Sequence, residues 1–134
     1  MANNVKKLDD NSIDLSMLSY QKQISFLVGY VTRQAINIEP GYAQILQHKI
    51  IKDIEFFNQE ILNKIYTNTV KILSKHDAID EKINYILETI SSYMIQSLND
   101  KPLGKVEISY YYTLGLTSHE LDIVDNKIVY KKIV

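Results

Sequence analysis

Three histidines are the side chains of this 134-residue chain best suited to transfer protons or ligate a metal. His48, His76 and His119 could do either, because imidazole titrates near neutral pH and binds metal ions. No two of them have the spacing of a metal site. His48 also stands seven residues before Glu55, about 10 Å along a helix, which is too far for direct pairing. We therefore predict no metal, no cofactor and no catalytic residue, and keep an enzyme that uses His48 or His119 as a third hypothesis.

The sequence motifs of common catalytic and nucleotide sites are missing. There is no G-x-G-x-x-G, P-loop, H-E-x-x-H or G-x-S-x-G sequence. Cysteine is absent, which excludes disulfides, thiolate metal sites and cysteine nucleophiles. The acidic cluster of Asp77, Asp80 and Glu81 fits the start of a helix, where the helix dipole favours negative charge.

Charge gives no sign of a nucleic-acid or membrane partner. Fifteen basic residues against sixteen acidic ones leave a net charge of -1. Arg33 is the single arginine that could bind a phosphate through a planar fork. In the run Tyr110-Tyr111-Tyr112, strand alternation would leave Tyr111 alone on the outer face, too few rings for a base-stacking platform. Nucleic acid is therefore disfavoured as a partner, and no membrane contact is expected.

Apolar residues recurring every three or four positions predict three helices, at about 16–37, 41–75 and 78–98. Ser16 or Ser19 would cap the first helix, and Glu39-Pro40-Gly41 ends it. Ser25 and Gly29 form a small-residue patch on that helix, which we expect to pack within the chain.

The second predicted helix has an unusually wide apolar arc, covering about half of its circumference. Its flank consists of Ile51, Leu62, Tyr66 and Leu73. A break near residues 66–69 is an open alternative, because their helix propensity is mediocre.

Beyond Gly104 the apolar period changes from 3.6 to 2, which predicts strands. The sequence therefore favours an α+β fold with a small antiparallel sheet at about 105–116, 120–124 and 127–134. A short helix from Thr117 to Glu120 is the alternative to the middle strand. Residues 1–15 are predicted to be a flexible arm, and residues 16–134 a single domain.

The wide arc and the missing site motifs favour a non-enzymatic interaction or assembly module. Its partner would be itself, in a homo-oligomer, or another protein. The predicted interface residues are Ile51, Leu62, Tyr66, Leu73 and Tyr111. The alternative is a small-molecule or nucleic-acid binding module, with a helix–sheet pocket lined by Tyr110, Tyr112 and His119.

Composition also bears on source and location. Lysine far outnumbers arginine, and isoleucine, asparagine and tyrosine are abundant, as AT-rich codon usage produces. This usage and the small size fit an accessory or inhibitor protein of a phage or mobile element. No signal peptide or membrane span is visible, so we expect a cytoplasmic protein, or one of the host cytoplasm if a phage encodes it.

Overall fold

The computed structural model of the chain describes residues 12–47, 57–117, 120–124 and 127–131. Within these residues there are five α-helices and three short strands. The helices are α1 (Tyr20–Ile38), α2 (Tyr42–Ile45), α3 (Gln59–Lys75), α4 (Glu81–Gln96) and α5 (Lys105–Leu116). The strands are β1 (Ser12–Asp14), β2 (Glu120–Val124) and β3 (Lys127–Lys131), and a 3-10 turn spans Leu15–Met17. The chain divides into two compact units, Ser19–Thr117 and the segments on either side of it.

Helix α1 is the centre of the helical unit, because α3, α4 and α5 all pack against it. Every residue from Gln23 to Thr32 is buried, so α1 is covered around its whole circumference. Leu27, Val28 and Val31 are completely inaccessible to solvent. The core of this unit therefore forms around the first helix and not around the second predicted one.

The crossing of α1 and α5 is unusually close because each helix places a glycine at the contact. A Cβ atom at Gly29 would overlap the backbone carbonyl oxygen of Tyr112, and one at Gly115 would overlap that of Phe26. Only a residue without a side chain lets two helix backbones approach so closely. The expectation that the patch around Gly29 packs within the chain is confirmed for that glycine.

Short polar side chains fix where the long helices begin. The Ser19 hydroxyl accepts a hydrogen bond from the backbone N–H of Lys22 at 3.3 Å. Asn58 does the same for α3, and the Asp80 carboxylate accepts from the N–H of Ile83 at 2.8 Å at the start of α4. Such caps satisfy backbone donors that have no partner inside the helix.

The predicted long helix over 41–75 is interrupted in the structure. Asn58 has an extended backbone, with φ −109° and ψ −176°, immediately before α3. A residue in this conformation cannot continue a helix, but it is suited to cap one. The interruption therefore lies upstream of residues 66–69, which are helical in α3.

The predicted fold class is wrong. It consisted of three helices followed by an antiparallel sheet over 105–116, 120–124 and 127–134. Residues 105–116 form α5, so the longest predicted strand is a helix and the chain is mostly helical. The reason is tertiary packing: α5 lies on α1 through Gly29 and Gly115, and this contact outweighs the β-propensity of its aromatic and β-branched residues.

The strands that do exist are three to five residues long and belong to the second unit. β3 lies in the middle and pairs antiparallel with both β1 and β2. Lys131 is opposite Ser12 on one side and Glu120 on the other. Ser12–Asp14 were predicted to lie in the N-terminal arm, of which residues 1–11 lie outside the described residues.

Candidate interaction surface

Helix α5 presents an apolar stripe to solvent, formed by Val106, Tyr110 and Leu114, which we call the outer stripe. Val106 is 73% exposed and Tyr110 is 57% exposed, while Leu114 is half-buried. The three residues are four positions apart, so they lie one above another on one face of the helix. Water therefore contacts a row of apolar side chains that the described residues leave largely uncovered at Val106 and Tyr110.

The opposite face of α5 is also apolar. Ile108 and Tyr112 on that face are 1% and 3% exposed, and Gly115 is buried against α1. A helix with one apolar face is typical of a protein surface, whereas a helix that is apolar on both sides is typical of a buried position. One face of α5 thus packs against α1, and the other has no covering partner among the residues that the structure describes.

Aromatic rings and a lysine lie at one edge of the outer stripe. The rings of Tyr110 and Tyr111 meet edge to face, with centroids 5.0 Å apart. The Lys22 ammonium lies 5.5 Å from the centroid of the Tyr111 ring, within the range of a cation–π interaction. Lys22 belongs to α1, so this contact also joins the two helices at the surface.

An apolar groove of about 330 Å³ lies between α5 and α2. Ala43 and Leu46 line it on one side, and Tyr112, Thr113 and Leu116 on the other. The rings of Phe57 and Tyr112 lie 5.1 Å apart beside it. Thr113 is exposed and follows Tyr110 by less than one helical turn, so the groove adjoins the outer stripe.

The structure separates the five predicted interface residues. Leu62 and Leu73 are completely buried within the chain, where no partner can reach them. Tyr66 is half-buried, and its hydroxyl donates to the carbonyl oxygen of Leu87 at 3.4 Å. Tyr111 is half-buried beside the outer stripe, and Ile51 lies outside the described residues.

The three residues of the predicted ligand pocket do not form one site in the described part of the chain. Tyr110 points to solvent and Tyr112 is buried, because residues two apart on a helix point about 200° apart. His119 lies outside the described residues, as does His48. The strand alternation that placed Tyr110 and Tyr112 on one face and Tyr111 outward does not hold in α5.

Four buried hydroxyl groups meet where α1, α2, α3 and α5 pack together. Tyr42 is hydrogen-bonded through its hydroxyl to Thr69, at 3.0 Å, and to the carbonyl oxygen of Ile65, at 3.2 Å. The Thr69 and Thr32 hydroxyls are 3.4 Å apart, and that of Thr32 donates to the carbonyl oxygen of Val28 at 2.7 Å. Tyr112 supplies the fourth hydroxyl, which is buried, interacts with Thr32 and has no hydrogen bond of standard geometry among the described residues.

These phenols have the electrostatics of core residues. Burial raises the pKa of Tyr112 strongly, against a smaller lowering effect from Thr32. Burial also raises the pKa of Tyr42, which the hydrogen bond from Thr69 partly offsets. Both tyrosines therefore stay neutral and support the packing of the helices, without the lowered pKa that a catalytic tyrosinate would need.

The third histidine takes part in a surface contact between two helix ends. His76 follows α3, and its Nε2 atom lies 2.7 Å from a carboxylate oxygen of Glu39, the residue that ends α1. Lys75 lies 3.4 Å from the same oxygen. These two neighbours, His76 first, lower the pKa of Glu39 against a raising effect of burial. In the described ranges, no three histidine or acidic side chains are grouped to hold a metal ion.

Sequence reasoning missed the outer stripe although its signal was present. Alternating apolar residues point to one side of a strand, but on a helix they fall into two opposite rows, each with a spacing of four. Val106, Tyr110 and Leu114 form one row, and Ile108 and Tyr112 belong to the other. The apolar surplus expected for the second helix is thus found on the segment that was predicted to be a strand.

Comparison with known proteins identifies a family. The family model for the C-terminal domain of the CRISPR-associated protein TM1802 matches residues 5–128. No curated protein and no solved structure matches the chain. Within the helices that the structure describes, none combines the length and hydropathy needed to cross a membrane.

Proposed function

The chain belongs to the family of the C-terminal domain of the CRISPR-associated protein TM1802, and from this premise we propose that it is a non-enzymatic helical module that binds a protein partner of a CRISPR-associated assembly. The family membership supports the part of the proposal that places the chain in a CRISPR-associated assembly. The proposed mode of action depends on the surface of α5.

The observation that carries the proposal is the exposed outer stripe. Val106, Tyr110 and Leu114 span about 12 Å along the helix at 1.5 Å per residue. Their exposure leaves an apolar row in water on a helix whose other face is buried. Covering such a row with a partner is favourable, because each buried apolar side chain contributes about 1.5–3 kcal/mol.

A protein suits this surface better than a phosphate backbone does. The stripe itself contains no cation, and the exposed Lys105 and Glu107 beside it on the same helix cancel in charge. The groove beside Thr113 offers a second apolar recess that a partner's side chain could fill. A tyrosine flanked by aliphatic residues and a recess is typical of the centre of a protein–protein interface.

The test is a double substitution in the stripe, Val106→Ser with Tyr110→Ser. The chain is reconstituted with the other CRISPR-associated proteins of its source, and its affinity for them is measured by sedimentation velocity. We expect affinity to fall at least about tenfold, since interface anchors typically contribute more than 1 kcal/mol each. The matched control is Ile95→Ser, which removes an equally exposed isoleucine, 70% accessible, from α4.

The same variants separate a homo-oligomer from a hetero-complex. If the chain alone sediments as an oligomer and the double variant as a monomer, the partner is a second copy. The proposal is wrong if the double variant keeps a native circular dichroism spectrum and also keeps the self-association and the binding to the other proteins that the natural chain shows. Equal losses in the double variant and in Ile95→Ser would also contradict it, because the effect would not be specific to α5.

Single-stranded nucleic acid is a second candidate ligand, which the rings of Tyr110 and Tyr111 and the nearby Lys22 support. Bases stack on exposed aromatic rings, and a lysine attracts the backbone. Lys22→Gln should then weaken binding of an oligonucleotide in fluorescence anisotropy, whereas binding to protein through the stripe should be unaffected by this change.

A further inference from the structure

A further recess has a lining that shares no residue with the outer stripe or with the groove beside it. It is a cleft of about 370 Å³ between the first turns of α1 and α3, the end of α4 and the loop that leads to α5. This volume is near the lower limit of ligand pockets, about 300 Å³. The cleft therefore has ample room for one long side chain.

One wall of the cleft is aliphatic. Ile24 is buried at its base, Met94 is half-buried, and Pro102 closes one side. Leu98 stands at the rim and is 76% exposed. Such a wall binds the methylene stem of a long side chain, because stems pack on apolar surfaces while their polar ends remain hydrated.

The other wall is polar and rich in hydrogen-bond acceptors. Gln59 donates through Nε2 to the Asn63 side-chain oxygen at 3.1 Å, which leaves the Gln59 carbonyl oxygen as an acceptor. Gln21 also lines the cleft, and its side-chain oxygen is buried without a hydrogen-bond partner in the described part of the chain. A buried acceptor without a partner costs free energy that a suitable donor would recover.

Asp100 is the charged group of this lining. It takes part in neither of the two ion pairs found among the described residues, which both involve Glu39. The cleft thus combines a negative charge, further oxygen acceptors and an aliphatic wall. Anions are disfavoured by Asp100, and a fully apolar ligand would leave the acceptors without donors.

We propose that this cleft binds an arginine side chain of a protein partner. The stem would lie on Met94 and Leu98, and the guanidinium would donate to Asp100 and to the glutamine oxygens. Guanidinium fits better than ammonium because it has five donors in one plane and is more weakly hydrated. Binding of arginine by the cleft does not depend on the proposed function. Only the source of the arginine, a protein partner, rests on it.

The test uses capped arginine amide as the probe and the methyl resonances of Ile24, Met94 and Leu98 as the readout. We expect saturable shifts with a Kd in the millimolar range, about 1–10 mM, as befits one side chain without its protein. Capped citrulline amide has the same shape without the charge, and it should bind at least about tenfold more weakly. Capped lysine amide should also bind more weakly than the arginine probe.

Asp100→Asn should reduce arginine binding about tenfold, while Glu88→Gln, an exposed acidic residue of α4 outside the cleft, should leave it unchanged. Absence of saturable shifts, equal binding of citrulline or lysine, or unchanged binding in Asp100→Asn would overturn the assignment. In the reconstituted assembly, Asp100→Asn should weaken association. If the arginine probe binds the natural chain but Asp100→Asn does not weaken association in the assembly, the arginine does not come from a protein partner.

These outcomes are distinguishable from failure of the proposed function. The Val106→Ser, Tyr110→Ser double variant leaves the cleft intact and should bind the arginine probe like the natural chain. If the cleft does not bind arginine, the double variant should still lower the affinity for the partner proteins.

Discussion

Tyr42 and Tyr112 show at the residue scale how two buried tyrosines of one core can contribute differently to stability. The Tyr42 hydroxyl has hydrogen-bond partners on α3, whereas the Tyr112 hydroxyl interacts with Thr32 but has no hydrogen bond of standard geometry among the described residues. Removing a bonded hydroxyl costs stability, whereas removing an unbonded buried one relieves a desolvation cost. The two phenylalanine substitutions therefore form a matched pair.

We predict that Tyr112→Phe leaves stability unchanged or raises it by up to about 1 kcal/mol, while Tyr42→Phe lowers it by about 1–2 kcal/mol. Urea unfolding followed by circular dichroism measures both. A loss for Tyr112→Phe as large as that for Tyr42→Phe would mean that the Tyr112 hydroxyl has a partner.

Glu39 gives a pH-dependent prediction at the same scale. Its pKa is lowered in the folded chain, mainly by the hydrogen bond with His76. A carboxyl group with a lowered folded pKa stabilises the fold above its unfolded pKa, about 4.3 for glutamate. That contribution is lost as the pH falls through the folded value.

The melting temperature of Glu39→Gln should therefore lie slightly below that of the natural chain at neutral pH, and the two should converge as the pH falls below the unfolded pKa and through the lower folded one. Thermal unfolding from pH 3 to pH 7 checks this, with Glu88→Gln, an exposed glutamate in the middle of α4, as the control. A difference that grows as the pH falls would contradict the sign of the shift.

At the scale of the element, the crossing of α1 and α5 is the contact most sensitive to added volume. A methyl group at Gly115 would meet the backbone of α1, which cannot rotate away as a side chain does. Gly104, just before α5, has open space around it and a φ of −69° that any residue adopts. These two glycines in one short segment therefore permit a direct comparison.

Gly115→Ala should destabilise the chain at the upper end of the roughly 1–3 kcal/mol that overpacking costs, or more. Gly104→Ala, at the N-cap of α5, should cost no more than about 1 kcal/mol, because alanine caps a helix less well than glycine. If Gly115→Ala does not fold, Gly29→Ala in the facing helix should fail similarly, and Gly104→Ala should still fold. Native stability of Gly115→Ala would show that the helices are not in backbone contact.

The elements also show what local sequence can and cannot predict. Ser19 caps α1, one of the two serines expected there, because capping depends only on residues three positions away. Asn58 is an equally local cap, but its signal was hidden within a long apolar pattern that continued on both sides. The helical state of residues 105–116 depends on Gly29, more than seventy residues earlier, and no local pattern contains that information.

At the scale of the whole molecule, the sequence indicated an apolar surplus but placed it on the wrong helix. Leu62 and Leu73 are buried because α3 packs on α1, a pairing that periodicity cannot reveal. Tyr111 lies beside the exposed surface, but Val106 and Tyr110 are its main constituents. Which apolar face remains in water is decided only when every helix has found its neighbours.

The pairing of β1 with β3 has a consequence for how this chain can be joined to others. Ser12 and Lys131 are directly opposite each other, which places their Cα atoms about 5 Å apart. The segment between these two residues therefore begins and ends at nearly the same place. For this reason a host protein could carry the module as an insert with little rearrangement of the host. For the same reason, a short peptide joining the two ends and a cut in an exposed turn would give a circularly permuted chain.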